Sequence, residues 1–244
     1  MTSGQAERMR AFILCGGFGT RLRSVLSDRP KSMAPLAGVP FLELLLRQVR
    51  EQGIREAVLG TGYMAEQIED HLRDGARLGI SIRYSREPEP LGTGGALKLA
   101  EPLLSDPALV LNGDSYVEWN LEAARELFER ARADAVMILQ RVPDIARYGS
   151  VTIAADGRVT EFVEKGSRTG AGLINAGVYL LRKEIVARLP EKETISLERD
   201  VFPAFSPGKL YGLVTEGIFI DIGIPADLER GQTLLLPKVR PKAT

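Results

Sequence analysis

The constraint that most narrows what this chain can become is an alternation of short apolar runs with segments whose apolar residues recur at helical spacing. Arg10 to Leu14 reads as a strand, and Phe41 to Gln52 reads as a helix with Leu42, Leu45, Leu46 and Val49 on one face. The pattern then repeats: "EAVLG", a helix near Met64 to Arg73, "ISIRY", a helix near Gly94 to Ala100, "ALVLN", a helix near Asn120 to Arg132, and "DAVMILQ". Such a βαβ series implies a mostly parallel sheet with helices on both faces. Ligands in such folds bind beyond the carboxyl ends of the strands.

After Gln140 the pattern becomes strand-rich, with "SVTIAADGRVTEFVE" turning at Asp156-Gly157 and then "GLINAGVYLLR". This half is expected to add to the same sheet. With 44% hydrophobic residues in 244, the chain has apolar material for one sizeable core, so residues 1–236 are read as a single α/β catalytic domain and 237–244, "PKVRPKAT", as a loose tail. Lys plus Arg equals Asp plus Glu at 32 each, so no long-range field favours nucleic acid or an anionic membrane. No apolar run approaches the length of a membrane span, and a single cysteine, Cys15, excludes an internal disulfide. The expected location is the cytoplasm.

Against that neutral background, "FILCGGFGTRLRSVLSDRPKSMAP" (residues 12–35) gathers Arg21, Arg23, Arg29 and Lys31 around a glycine turn. Glycines at 16, 17 and 19 let the backbone approach a ligand closely and turn N–H groups outward, which is one way to bind phosphate. Neither a P-loop nor a dinucleotide fingerprint fits, because Arg21 follows the glycines at once and Lys31 stands ten residues later.

Asp114 follows the strand "ALVLN" and Asp221 follows "GIFI", so two carboxylates stand at strand ends where a substrate would sit. Taken singly, each is a turn former more often than a ligand. Taken together they can share Mg²⁺, a hard cation that uses few protein oxygens beside water and phosphate. In "REPEPLGTGGAL", Glu87 and Glu89 offer acceptors for guanine N1–H and N2–H₂, or are simply solvated. His71 reads as part of a solvated helical face, Cys15 as a small buried side chain, and Trp119 as packing.

The order GGxGTRL followed by RPK resembles the signature of the sugar-1-phosphate nucleotidyltransferases, and the likeness covers nearly the whole chain. It implies a single-domain, Rossmann-like, mixed and mostly parallel sheet. By resemblance, Leu14, Gly16, Gly17, Gly19, Thr20, Glu87, Leu91, Gly92, Thr93, Asn112 and Gly113 surround a nucleoside triphosphate, whose phosphates meet Arg21 and Lys31. Asp114 and Asp221 match the magnesium-binding aspartates. "FVEKG" and "NAGVY" resemble the segments around the sugar 1-phosphate, with Lys165 at its phosphate, Glu164 and Asn175 at its hydroxyls, and Tyr148 and Gly149 close by. The chain departs from the family where PKxLLP or PKPMLP becomes Pro30-Lys31-Ser32-Met33-Ala34-Pro35, and where EKP becomes EKG.

The implied reaction is attack of a sugar 1-phosphate oxygen on the α-phosphorus of a nucleoside triphosphate, releasing pyrophosphate and yielding an activated sugar for surface polysaccharide. "KSMAPLAGVPFL", "LNGDSY", "SLERDVFP" and "FIDIGIPAD" look most like the D-glycero-α-D-manno-heptose 1-phosphate guanylyltransferases. Mannose-1-phosphate guanylyltransferases and glucose-1-phosphate uridylyl- or thymidylyltransferases are the alternatives, and Arg147, Tyr148 and Glu198 are the candidates for telling heptose from mannose. A non-catalytic nucleotide-sugar sensor is a distant third reading. A homodimer is compatible with the sequence.

Overall fold

The computed structural model describes residues 9–22, 25–163, 166, 168–205 and 208–239. The first half runs β1 (Arg10–Leu14), a small hairpin of β2 (Pro35–Leu36) and β3 (Val39–Pro40), α1 (Phe41–Glu51), β4 (Glu56–Thr61), α2 (Ala65–Leu72), β5 (Ser81–Arg86), α3 (Gly92–Leu99), β6 (Ala108–Asn112), β7 (Ser115–Val117), α4 (Leu121–Arg130) and β8 (Ala135–Val142). The second half adds β9 (Ser150–Ile153), β10 (Val159–Val163), β11 (Gly172–Leu181), α5 (Lys183–Ala187), β12 (Leu210–Thr215), β13 (Phe219–Asp221), α6 (Pro225–Leu234) and α7 (Leu236–Val239).

β1 lies at the centre of the parallel part, with Ile13 opposite Leu59 of β4 on one side and Leu111 of β6 on the other. Its apolar run is continuous because both faces are covered. Ala11 and Ile13 pack with residues of α1, α2 and α4, such as Leu45, Ile68 and Leu127, while Phe12 packs with Ala96 and Leu97 of α3 and Val186 of α5. The second half joins the same nine-stranded sheet through β11, which runs antiparallel to β6, β8 and β9 and so makes the sheet mixed. β6 pairs with the last residues of β11, and β9 takes the same side nearer its start, at Leu173 and Ile174. The β9–β10 hairpin turns at the expected Asp156-Gly157, where Arg158 N–H donates to Asp156 Oδ1 at 3.1 Å.

β13 does not join this sheet. It pairs antiparallel with β7, and that departure positions the site described below. Of the expected tail, residues 237–239 form the helical turn α7 together with Leu236, with Lys238 paired to Glu118, and residues 240–244 lie outside the described residues. Trp119 is buried in the core, in keeping with its reading as a packing residue.

His71 is exposed, as its charged helical face predicts, and it has a partner on the neighbouring helix. Its Nε2 lies 2.7 Å from Oε1 of Glu43, a residue of α1 whose side chain is only 5% exposed and which also accepts from Arg77. Burial raises the Glu43 carboxyl, but the bonds from Arg77 and then His71 outweigh it and hold the group below the usual range. Glu43 therefore contributes stability that is full above the free carboxyl pKa of about 4.3 and is lost as pH falls through the lower folded-state value. Glu43→Gln is expected to reduce the unfolding free energy by about 1.5–3 kcal/mol at pH 7. In urea titrations the difference should shrink as pH falls below the free carboxyl value, and equal midpoints at pH 7 would contradict this.

Candidate active site

The ends of β1 and β6 meet where the chain leaves the sheet. Cys15 N–H donates to the Gly60 carbonyl at 2.8 Å, and Gly113 N–H donates to the Leu14 carbonyl at 3.0 Å. A Cβ on Gly113 would overlap that carbonyl oxygen, so this approach of two strand ends admits only glycine. From here Gly16, Gly17 and Gly19 pass along a cleft of about 360 Å³, continuing into a helical turn at Thr20–Leu22 that carries Arg21. A second short turn, Lys31–Met33, brings Lys31 and Ser32 to the same cleft. Glu87 and Pro90 line it from the segment between β5 and α3, Gly92 and Thr93 from the first turn of α3, and Asn112, Gly113 and Asp114 from the end of β6 and the residues after it.

The two strand-end aspartates are brought together by backbone pairing. Asp221 stands opposite Ser115 in the β13–β7 ladder, and Ile222 N–H donates to the Asp114 carbonyl at 2.9 Å. Lys31 Nζ lies between the two carboxylates, 2.7 Å from Asp114 Oδ2 and 3.8 Å from Asp221 Oδ1. Burial raises both carboxyls. For Asp114 the Lys31 charge and hydrogen bond, with help from Ser115 and Arg21, bring the net shift below the ordinary value. For Asp221 burial and the Asp114 charge win, so its carboxyl is pushed up. The second carboxylate is thus short of positive charge, and this is an arrangement a dication relieves. Among the described residues no group of three or more His, Cys, Asp or Glu side chains is set to hold a metal. Two carboxylates with the remaining positions left to water and phosphate oxygens suit Mg²⁺ better than zinc or another metal that asks for a full protein shell.

Glu87 and Glu89 part company. Glu87 is half-buried in the cleft, its Oε2 accepts from Leu91 N–H at 3.1 Å, and burial raises its carboxyl against that bond. Glu89 is exposed and does not line this cleft. Leu91 is buried behind the start of α3, where its carbonyl accepts from Ile195 N–H at 2.9 Å. Of the residues expected near the sugar phosphate, Asn175 N–H donates to the Gly149 carbonyl at 3.2 Å, and the Tyr148 ring meets Phe219 edge-on at 5.6 Å, two residues before Asp221. None of Tyr148, Gly149 and Asn175 lines the glycine-loop cleft itself. Glu164 and Lys165 lie outside the described residues.

Two features escape sequence reasoning. Ser32 lines the cleft with its hydroxyl buried and without a hydrogen-bond partner, at a position that reads only as a departure from a motif. Arg147 is fixed by Asp227 of α6, Nη2 to Oδ2 at 2.5 Å, although 80 residues separate the two. The signal available for that pair was a charged residue within an otherwise helical "PADL", which is no signal at all.

The nucleotidyl transferase family model matches residues 10–236. A D-glycero-alpha-D-manno-heptose 1-phosphate guanylyltransferase of Aneurinibacillus thermoaerophilus is 42% identical over 229 residues, 92% of this chain and 97% of its own length. A mannose-1-phosphate guanylyltransferase of Mycobacterium tuberculosis is 38% identical over 239 residues, 96% of this chain and 67% of its own. Among solved structures, HddC from Yersinia pseudotuberculosis complexed with GMP-PN superposes with a TM-score of 0.81 at 37% identity, covering 92% of this chain and 98% of that one.

Cys15 lines the cleft but is 5% exposed, and burial pushes its thiol far above the range in which a thiolate forms. Cys15→Ala should leave turnover within about threefold, since a buried thiol is a small apolar side chain. In the folded protein the thiol should react with a disulfide reagent at pH 8 only at the rate of unfolding. Stoichiometric labelling within seconds would show the burial to be wrong.

Proposed function

The chain belongs to the nucleotidyl transferase family, and from that premise we propose that it transfers GMP from GTP to D-glycero-α-D-manno-heptose 1-phosphate, forming GDP-heptose for surface polysaccharide and releasing pyrophosphate. The observation that carries the reading is the Asp114–Lys31–Asp221 cluster beside a cleft that Lys31, Asp114 and Glu87 all line. The heptose is favoured because the 42% identical heptose 1-phosphate guanylyltransferase is matched over 97% of its length. Mannose 1-phosphate is the second reading, supported by the 38% identity to a mannose-1-phosphate guanylyltransferase over 96% of this chain.

A phosphate oxygen of the sugar 1-phosphate forms the new bond to the α-phosphorus of GTP, and the bond from that phosphorus to the bridging oxygen of pyrophosphate breaks. A phosphate monoester has its second pKa near 6 and is mostly dianionic at pH 7, so no general base is needed. The demand on the protein is alignment and neutralisation of charge. The glycine loop cradles the triphosphate, Arg21 and Lys31 lie against its phosphates, and Glu87 accepts from the guanine edge. Asn175, Tyr148 and Gly149 hold the sugar, with Glu164 and Lys165 assigned to its hydroxyls and phosphate. Asp114 and Asp221 would hold Mg²⁺, which when bound supplies further positive charge at the reacting phosphates. Lys31 stands between these carboxylates, and a dication held by them would take over part of the charge that Lys31 now balances. The reaction is placed in the cytoplasm. Among the described residues no helix is long and apolar enough to cross a membrane.

The test is kcat/KM for GTP, ATP, UTP, CTP and dTTP, each with heptose, mannose and glucose 1-phosphates. GTP with the heptose is expected to lead, and a preference for UTP or dTTP with glucose 1-phosphate would contradict the proposal. If the extra hydroxyl of the heptose meets a buried partner, discrimination against mannose approaches about 10⁴-fold, whereas solvent access reduces it to about tenfold. Asp114→Ala and Asp221→Ala should each cut kcat about 10²- to 10⁴-fold in folded protein at saturating Mg²⁺.

A further inference from the structure

Four side chains form an unbroken hydrogen-bonded chain from the cleft to β11. Thr93, in the first turn of α3, donates its hydroxyl to Glu198 Oε2 at 2.9 Å and accepts from Leu197 N–H at 2.8 Å. Glu198 Oε1 accepts from the Tyr179 hydroxyl at 3.1 Å, and that hydroxyl accepts from the Asn175 amide at 2.7 Å. Because a carboxylate can only accept, both hydroxyls must donate towards Glu198, and the chain has a single polarity. Burial first, and the Glu198 charge next, keep the Tyr179 phenol protonated. Asn175 Oδ1 accepts from Gly177 N–H at 3.0 Å, which fixes which end of the amide faces Tyr179.

Three members of the chain sit at irregularities. Glu198 belongs to a π-helical turn, Leu197–Val201, and Asn175 and Tyr179 bracket the register shift of β11 against β8. Such turns and bulges re-aim side chains and recur beside active sites. Inside the bulge Gly177 has φ +80°, and a Cβ there would lie 2.8 Å from Asn112 Nδ2. Asn112 itself lines the cleft with Oδ1 buried and unpartnered. The nucleotide cleft therefore touches the bulge twice, through Asn112 directly and through Thr93 by way of Glu198.

We propose that Glu198 is a positioning residue that couples the two substrates: nucleotide in the cleft acts on Thr93, and Glu198 and Tyr179 pass the effect to the Asn175 amide, so that bound nucleotide raises the affinity for the sugar 1-phosphate. The inference rests on the proposed placement of nucleotide beside Thr93 and sugar beside Asn175. A ligand that moves the Thr93 hydroxyl changes what Glu198 Oε2 accepts, leaving Ser196, at 3.0 Å, and Tyr179 as its remaining donors among the bonds described here. Polar networks of low local dielectric respond as units, and the coupling between two ligands is reciprocal.

The experiment is calorimetric binding of D-glycero-α-D-manno-heptose 1-phosphate to the full chain with Mg²⁺, with and without a saturating non-hydrolysable GTP analogue. Wild type is expected to bind the sugar phosphate at least about fivefold more tightly with the analogue. Tyr179→Phe, which keeps the ring in the core, should bind the analogue within about twofold of wild type while the ratio falls to about 1. Glu198→Gln serves as the second variant if Tyr179→Phe fails to fold, with the same loss of ratio expected. A mere packing defect would lower both affinities and leave their ratio alone. A wild-type ratio of 1, or a full ratio in the folded variants, overturns the proposal, as does failure of the sugar phosphate to bind under either condition. Turnover of GTP with the heptose 1-phosphate is scored separately, so that a reaction without coupling, and coupling without the reaction, are told apart.

Discussion

The short ladder between β7 and β13 is the constraint on which the rest of the site depends. It sets Asp221 opposite Ser115 and ties Ile222 to the Asp114 carbonyl, so two carboxylates 107 positions apart in sequence face one ammonium, that of Lys31. Side chains alone would not hold such a pair, because the second carboxylate gains less from Lys31 than it loses to burial and to its neighbour's charge. Backbone hydrogen bonds hold it instead. The fold keeps β13 out of the main sheet for this purpose, and the glycine loop, Arg21 and the start of α3 are arranged around the result.

The same economy of position explains the cleft. β1 and β6 are neighbouring parallel strands, and their ends can close together only because Gly113 has no side chain to meet the Leu14 carbonyl. β6 then stops at Asn112, and β9 takes its place beside β11. The opening so created in the sheet is bordered by Asn112, by the bulge of β11 and by the Gly149–Asn175 pairing. A nucleotide in the cleft and a sugar beside Asn175 would thus meet across one strand end, which is what an in-line displacement requires.

Much of this was legible beforehand for identifiable reasons. The parallel strands announced themselves because burial on both faces demands continuous apolar runs, and helices such as α1 did so through their apolar stripe. Arg21 and Lys31 stood out against a neutral chain, and Asp114 and Asp221 stood at strand ends. What could not be read was anything set by the pairing of distant segments. No local pattern says that β13 pairs with β7, that Lys31 bridges the two aspartates, that His71 faces Glu43, or that Arg147 is anchored by Asp227. Glu87 and Glu89 look alike in sequence, and only the turn after β5 puts one in the cleft and the other outside it.

The central claim is that Asp114 and Asp221 form one divalent-cation site completed by the nucleotide's phosphates. It is tested most directly by titrating Mn²⁺, a paramagnetic substitute for Mg²⁺, into the protein and following free Mn²⁺ by electron paramagnetic resonance, with and without a non-hydrolysable GTP analogue. The account predicts a Mn²⁺ site that tightens when the analogue is present, and a loss of at least about tenfold in that affinity in Asp221→Asn, since a site with few protein oxygens depends heavily on each. Unchanged Mn²⁺ affinity in folded Asp221→Asn, with the analogue still bound, would contradict it.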